Sequence, residues 1–273
     1  EGIEQIQRAR YFLDLAGNKA ERLEAAARLG ILYNLSGEVD HAKQTYEEAI
    51  AGMPDPQTQK EKDAFVNIQT QLGLTYIMSG WPAKALEIAG EAYNLSQLIK
   101  RRSARVQALS VLAAANYYTS NYSQSLKHAL SGVALAEKLN LRWWLSFLET
   151  VIAHDHLVLG NMDQCWIYIH TVIDREKDMV DKTLLKGVYS VLGDVYRLFG
   201  NAGEAARVYH LGIDEKVVDM QTLENTFLLG LTLARSNDIK QGLELVSRAR
   251  LNAQEKGLGI VALPARMAEF MLD

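Results

Sequence analysis

One pattern constrains this chain more than any other. A small residue on an apolar helix face recurs at Gly30, Gly73, Ala113, Ala153, Gly193 and Gly230, at spacings of 43, 40, 40, 40 and 37 residues. Around its first occurrence the chain reads LGILYNLSGEVDHAKQTYEEAIAGMP, from Leu29 to Pro54. Leu29 and Tyr33 stand four apart on one helix face, and Ala42, Tyr46 and Ala49 recur at four and three on a second. Gly30 and Ala42 allow two antiparallel helices to approach closely, while Tyr33 and Tyr46 fill the space beside them. Ser36-Gly37 supplies a left-handed stop for the first helix, and Pro54 ends the second. Units of this kind stack into a continuous array in which each buries its apolar face against the next. No alternating strand pattern competes with the helical period.

At eight positions, Leu29, Gly30, Tyr33, Gly37, Ala42, Tyr46, Ala49 and Pro54, this unit resembles the helix-turn-helix of the tetratricopeptide repeat. The second unit keeps Leu72, Gly73, Tyr76, Gly80, Ala85, Ala89 and Ala92, and the fifth keeps Leu192, Gly193, Tyr196, Gly200, Ala205 and Tyr209. The third has Asn116 where tyrosine is usual, and the fourth departs most, with His156, Cys165 and Ile169 in signature places. Repeats longer than the standard 34 residues look like those of MalT-type transcriptional activators, related signalling ATPases and kinesin light chains. The resemblance implies an all-α, right-handed superhelical solenoid of antiparallel helix pairs. It also implies that first-helix residues at the second, fifth, ninth, twelfth and thirteenth places of each unit face a concave groove. Here these give Asn34, Asn67, Thr70, Tyr117, Tyr118, His154, Asp194, Arg197 and Arg235 as polar or aromatic members, with Ile31, Leu74, Ile77, Met78, Leu157 and Phe227 beside them.

The periodicity predicts helices near 3–16, 19–36, 38–52, 57–79, 82–99, 103–119, 122–139, 142–159, 162–177, 181–199, 202–217, 220–236, 239–256 and 260–271. EGIEQIQRAR at 1–10 parallels QGLELVSRAR at 241–250. A single solenoid over 1–273 is therefore expected, opening on the second helix of a truncated repeat (1–17). Six repeats follow over about 19–256, then a terminal helix at 257–273. The chain is expected to be part of a larger protein. Helices without partners expose apolar stripes, so self-association through exposed terminal repeats is a further expectation.

A net charge of −4 and a pI near 5.9 argue against nucleic acid as a direct partner of this region. No run of about 18 apolar residues suits a membrane span. One cysteine, Cys165, excludes an intramolecular disulfide framework and fits a reducing compartment, so a cytoplasmic location is expected. Cys165 falls where the repeat wants a small buried residue, which favours a packed thiol. In His154-Asp155-His156 the imidazoles are two residues apart and point to nearly opposite sides of a helix, so they cannot share an ion, and no metal or cofactor is expected. Lys100, Arg101, Arg102 and Arg105 form a basic cluster that reads either as an acidic-partner site or as a solvated inter-repeat turn. Trp143 and Trp144 are candidate anchors for a partner. Glycine-rich nucleotide motifs, the G-x-S-x-G elbow and H-E-x-x-H are absent. The expected function is a non-catalytic binding module whose groove holds a protein segment, peptide or small effector, as the sensor or scaffold part of a signalling or transcriptional regulator. The alternative is a stand-alone adaptor for extended peptides of the co-chaperone kind.

The co-chaperone class builds a carboxylate clamp from Lys and Asn at fixed first-helix places, which here hold Ala27 and Ile31, Thr70 and Leu74, and Ser110 and Ala114. Calorimetry with a Glu-Glu-Val-Asp peptide is therefore expected to show no binding that depends on the free terminal carboxylate.

Overall fold

A computed structural model describes residues 19–178, 182–236 and 238–272. The helix expected over 3–16 lies outside these residues. Thirteen helices and no strand occur among the described residues. They are α1 (Lys19–Ser36), α2 (Val39–Ala51), α3 (Gln59–Met78), α4 (Pro82–Gln97), α5 (Arg102–Tyr118), α6 (Tyr122–Lys138) and α7 (Arg142–Val158), followed by α8 (Met162–Glu176), α9 (Thr183–Leu198), α10 (Ala202–Leu211), α11 (Met220–Arg235), α12 (Ile239–Glu255) and α13 (Gly259–Leu272). The chain divides into two compact units, the first ending at Leu145 and the second beginning at Ser146, so the division falls inside α7.

The repeat is written in the backbone. Each turn between the two helices of a pair closes with the N–H of one residue donating to the carbonyl five residues before it. The bonds run from Glu38 to Tyr33, Trp81 to Tyr76, Asn121 to Asn116, Asn161 to His156, Asn201 to Tyr196 and Asp238 to Leu233, at 2.8 to 3.1 Å. This is the bond that satisfies the orphan carbonyls of a helix end when the chain passes through a left-handed residue. Gly37, Gly80, Gly160 and Gly200 take that conformation at φ between 75° and 81°, and in the third turn Ser120 takes it at φ 62°.

Packing inside each pair follows from side-chain size. Gly30 and Tyr46 meet so closely that a Cβ on Gly30 would stand 2.2 Å from the tyrosine ring, and Gly193 meets Tyr209 at 2.3 Å. Both tyrosines are fully buried. The ring takes the space that a Cβ of the first helix would need, which only glycine permits. Where the second helix carries a smaller residue in that place, Ala129 or Ile169, the first carries Ala113 or Ala153, all four fully buried. A Cβ on Gly73 would meet Ile88 of its own pair at 3.4 Å and, more closely, Val111 of α5 at 2.7 Å. Helices also pack on their successors: α1 on α3, α3 on α5 and α4 on α5 in the first unit, and α9 and α10 on α11 and α12 on α13 in the second.

One expected element is shorter than its sequence suggested. The helix predicted over 202–217 stops at Leu211. Lys186 is buried, with 5% of its surface exposed, and donates to Asp219 at 2.8 Å and Thr222 at 3.2 Å, with Asp214 at 3.9 Å. An ammonium out of water must be paired, so the chain leaves the helix to bring two carboxylates to it. Gly212 lets the chain pass against Asn225, whose amide donates to the Lys186 carbonyl at 3.0 Å. Asp219 then caps α11 by accepting the Thr222 N–H at 2.8 Å.

Gly193→Ala is expected to lower stability by about 1–3 kcal/mol through overpacking against Tyr209. Adding Tyr209→Ile, which reproduces the Ala153–Ile169 pair, is expected to recover part of that loss in a thermal-melt double-mutant cycle.

Candidate functional site on the first-helix faces

In the first unit the predicted residues divide between packing and surface. Asn34, half-buried, donates from Nδ2 to Thr75 Oγ1 at 2.9 Å and so ties α1 to α3. Thr70 corrects the sequence expectation. It has no exposed surface, and its hydroxyl donates to the Val66 carbonyl at 2.7 Å, so it is a packing residue of α3 and not part of a groove. Asn67 is half-buried on the same helix. Tyr117 and Tyr118 are half-buried at the end of α5, with ring centroids 5.1 Å apart and edge-on, and Tyr122 lies 5.8 Å from Tyr117. An aromatic corner of this kind offers large contact area with few rotatable bonds.

The second unit gathers ionisable groups. Asp194 Oδ1 on α9 accepts from Arg197 Nε at 3.0 Å, Arg197 Nη2 at 2.8 Å and the Tyr209 hydroxyl at 2.7 Å. Asp194 therefore has a structural part, supplying the acceptor that a buried phenol needs. In the first pair the place of Asp194 is held by Ile31, and the hydroxyl of the matching phenol, Tyr46, has no hydrogen-bond partner among the described residues. The charge of Asp194 also reaches two other first helices. His154 on α7 is held down to about pKa 4 by burial, which the carboxylate of Asp194 partly opposes. Glu224 on α11 is pushed up to about 7, first by burial and then by the same carboxylate. The Asp194 carboxylate thus acts electrostatically on His154 of α7 and Glu224 of α11, and is itself paired with Arg197.

Glu224 was not among the sequence candidates, although the signal was present. It occupies the second place of the sixth unit, as Asn67 does in the second. Arg235, at the end of α11, is exposed. The interior of the fourth pair holds a different set of charges. Glu149, 5% exposed, is paired with Arg175, and Ser146 Oγ donates to Glu176 at 2.7 Å, so these groups fasten α7 to α8.

Of the remaining candidates, His156 and Cys165 are packed into the fold. His156 stacks on Tyr168 at 5.9 Å, and burial lowers its pKa. Cys165 is fully buried and its thiol is pushed up to about 11, the opposite of what a reactive thiolate needs. No group of three or more His, Cys, Asp or Glu that could hold a metal ion occurs among the described residues. No helix among them is long and apolar enough to cross a membrane. Trp143 is 42% exposed and meets Trp144 edge-on at 4.7 Å. In the basic cluster Lys100, Arg101 and Arg102 are exposed, while Arg105 is half-buried.

No family model matches the chain, and no curated protein matches it. Solved structures do. NprR in complex with its cognate peptide NprX aligns with 98% of this chain and 83% of its own, at TM-score 0.75 and 12% identity. Rap protein complexed with Competence and Sporulation Factor aligns with 90% of this chain and 80% of its own, at TM-score 0.65 and 12% identity. A tetratricopeptide repeat protein from Parabacteroides merdae aligns with 99% of this chain and 98% of its own, at TM-score 0.57 and 14% identity. At such identities the likeness is one of fold, and in fold this chain is a helical-repeat protein of the tetratricopeptide type.

Proposed function

We propose that the chain is a non-catalytic binding module, and that the face carrying His154, Asp194, Arg197 and Glu224 seats an extended peptide or protein segment. The observation that carries this reading is the electrostatic state of that face. Glu224 and His154 are both held away from their ordinary pKa values, first by burial and then by the charge of Asp194, which raises the one and partly offsets the lowering of the other. Groups perturbed in this way concentrate where a protein meets a ligand. Two similarly folded proteins, NprR and Rap, are described in complex with NprX and with Competence and Sporulation Factor, which supports a peptide as the class of ligand. The aromatic corner of Tyr117 and Tyr118 supplies a second contact surface, argued for the first unit alone. The wider role that fits is the sensing or scaffolding part of a cytoplasmic signalling or transcriptional regulator.

The face changes charge near neutrality. Below about pH 7 Glu224 holds its proton and Asp194 is balanced by Arg197, whereas above it one negative charge is added. A folded pKa raised above the ordinary carboxylate value favours the native state at low pH, and that contribution is lost as pH rises through the folded value. The melting point of the parent is therefore expected to fall, relative to Glu224→Gln, as pH rises from about 4.5 to about 7. The Glu224 side-chain carbon signal should titrate near 7, and at a lower pH in Asp194→Asn. A midpoint at the ordinary carboxylate value would remove the observation on which the reading rests.

Peptides selected by display against the whole chain supply a direct assay. His154→Ala, Arg197→Ala and Glu224→Ala are each expected to weaken binding several-fold with the helical circular dichroism retained, while the exposed Lys127→Ala on α6 leaves it unchanged. Tyr118→Ala tests the first unit in the same assay. Parent-like affinity in all three face variants and in Tyr118→Ala would place recognition elsewhere.

A further inference from the structure

Asp194 is held through one of its two oxygens. Its three donors, Arg197 Nε at 3.0 Å, Arg197 Nη2 at 2.8 Å and the Tyr209 hydroxyl at 2.7 Å, all reach Oδ1. Oδ2 accepts no hydrogen bond among the described residues and is not buried, and the side chain keeps 21% of its surface exposed. One carboxylate oxygen is therefore fixed, and the other is open to a donor from outside.

The two residues that supply the donors differ in what they can fix. Arg197 stands three residues from Asp194 on the same helix with its side chain 33% exposed, and a surface ion pair of that kind holds its geometry loosely. Tyr209 has no exposed surface, and a Cβ on Gly193 would lie 2.3 Å from its ring, so the phenol has no room to change rotamer. Burial, first, and then the Asp194 charge push its titration well above the usual tyrosine range, so the hydroxyl stays a donor through neutrality. A hydrogen bond to a carboxylate is among the stronger ones, and this one runs from an immobile ring. No other unit has both parts. Tyr46 has Ile31 in the place of Asp194, and His154 is matched with Ile169.

We propose that Tyr209 is a positioning residue for the binding face: it fixes the Asp194 carboxylate through Oδ1 so that Oδ2 accepts an N–H group of the bound segment. The proposal rests on the reading of that face as a binding surface, and it adds the class of group that the ligand presents there, a hydrogen-bond donor from a backbone amide or from a side chain. A carboxylate oxygen accepts and cannot donate, so an acceptor in the same place on the ligand meets like charge and is rejected. A side chain already held in its bound geometry gives up less freedom on binding. That is how Tyr209, without touching the ligand, raises affinity for a donor at one place.

The display-selected peptides test this when each backbone amide is replaced in turn by an ester, which removes one N–H, and each N–H-bearing side chain in turn by alanine. In the parent, one such replacement is expected to weaken binding about tenfold more than the others do, and whether it is an ester or an alanine identifies the source of the donor. Asp194→Asn keeps its oxygen on Tyr209 and Arg197 and turns an amide N–H outward, so in that variant the same replacement should cost less than about twofold. Tyr209→Phe keeps the ring beside Gly193 and loses only the hydroxyl. In it the tenfold penalty should fall to about threefold, with the helical circular dichroism unchanged. A tyrosine that merely packs would leave the penalty at its parental value while shifting all peptides alike, and that result would overturn the proposal. So would a peptide series in which no single replacement distinguishes the parent from Asp194→Asn. If His154→Ala, Arg197→Ala and Glu224→Ala weaken binding all the same, that failure leaves the binding face standing; parent-like affinity in all three removes the face and the proposal together.

Discussion

The structure depends on the approach of two helix backbones at one small residue. Gly30 beneath Tyr46 and Gly193 beneath Tyr209 show what that approach requires: no Cβ on one helix, and a flat ring on the other. Close packing is enforced because a gap there would forfeit dispersion contacts along the whole pair, and a clash would separate the helices. Once the pair distance is fixed, the turn geometry and the stacking on the next pair follow with little freedom. The six recurring turn bonds express this in the backbone.

The fold was legible because each helix end and each close contact is decided within a few residues of itself. Glycines in the turns, small residues at the contacts and 3.6-residue periodicity are all local signals, and they place the helices to within two residues at nearly every end. The exception is instructive. Gly212 caps α10 just after Leu211, and beyond it Asp214 and Asp219 pair with Lys186, a buried ammonium some 25 residues earlier in the chain. A pairing with so distant a charge leaves no periodic trace.

The candidate site was legible only in part, for the same reason. A rule of places within the unit gave His154 on α7 and Asp194 on α9, and applied once more it would have given Glu224. The rule cannot see burial, so it counted Thr70, whose hydroxyl is spent on its own helix. Nor can it foresee that Asp194 would serve both Tyr209 and Arg197. That double use makes the face a compromise, since the carboxylate that shapes its electrostatics also holds a core phenol in place.

The paired contacts also bear on how such a sequence can change over generations. Gly30 and Tyr46, Gly73 and Ala89, Ala113 and Ala129, Ala153 and Ile169, Gly193 and Tyr209, and Gly230 and Val246 are all separated by sixteen residues. The constraint at each place falls on the pair and its neighbours together, because a larger residue on one helix is tolerated when its mate shrinks or a neighbour withdraws. Lineages can therefore exchange both members of a pair and keep the same backbone. Descent in such a protein is recorded in correlated couples sixteen apart, and a comparison that reads each position independently discards that record.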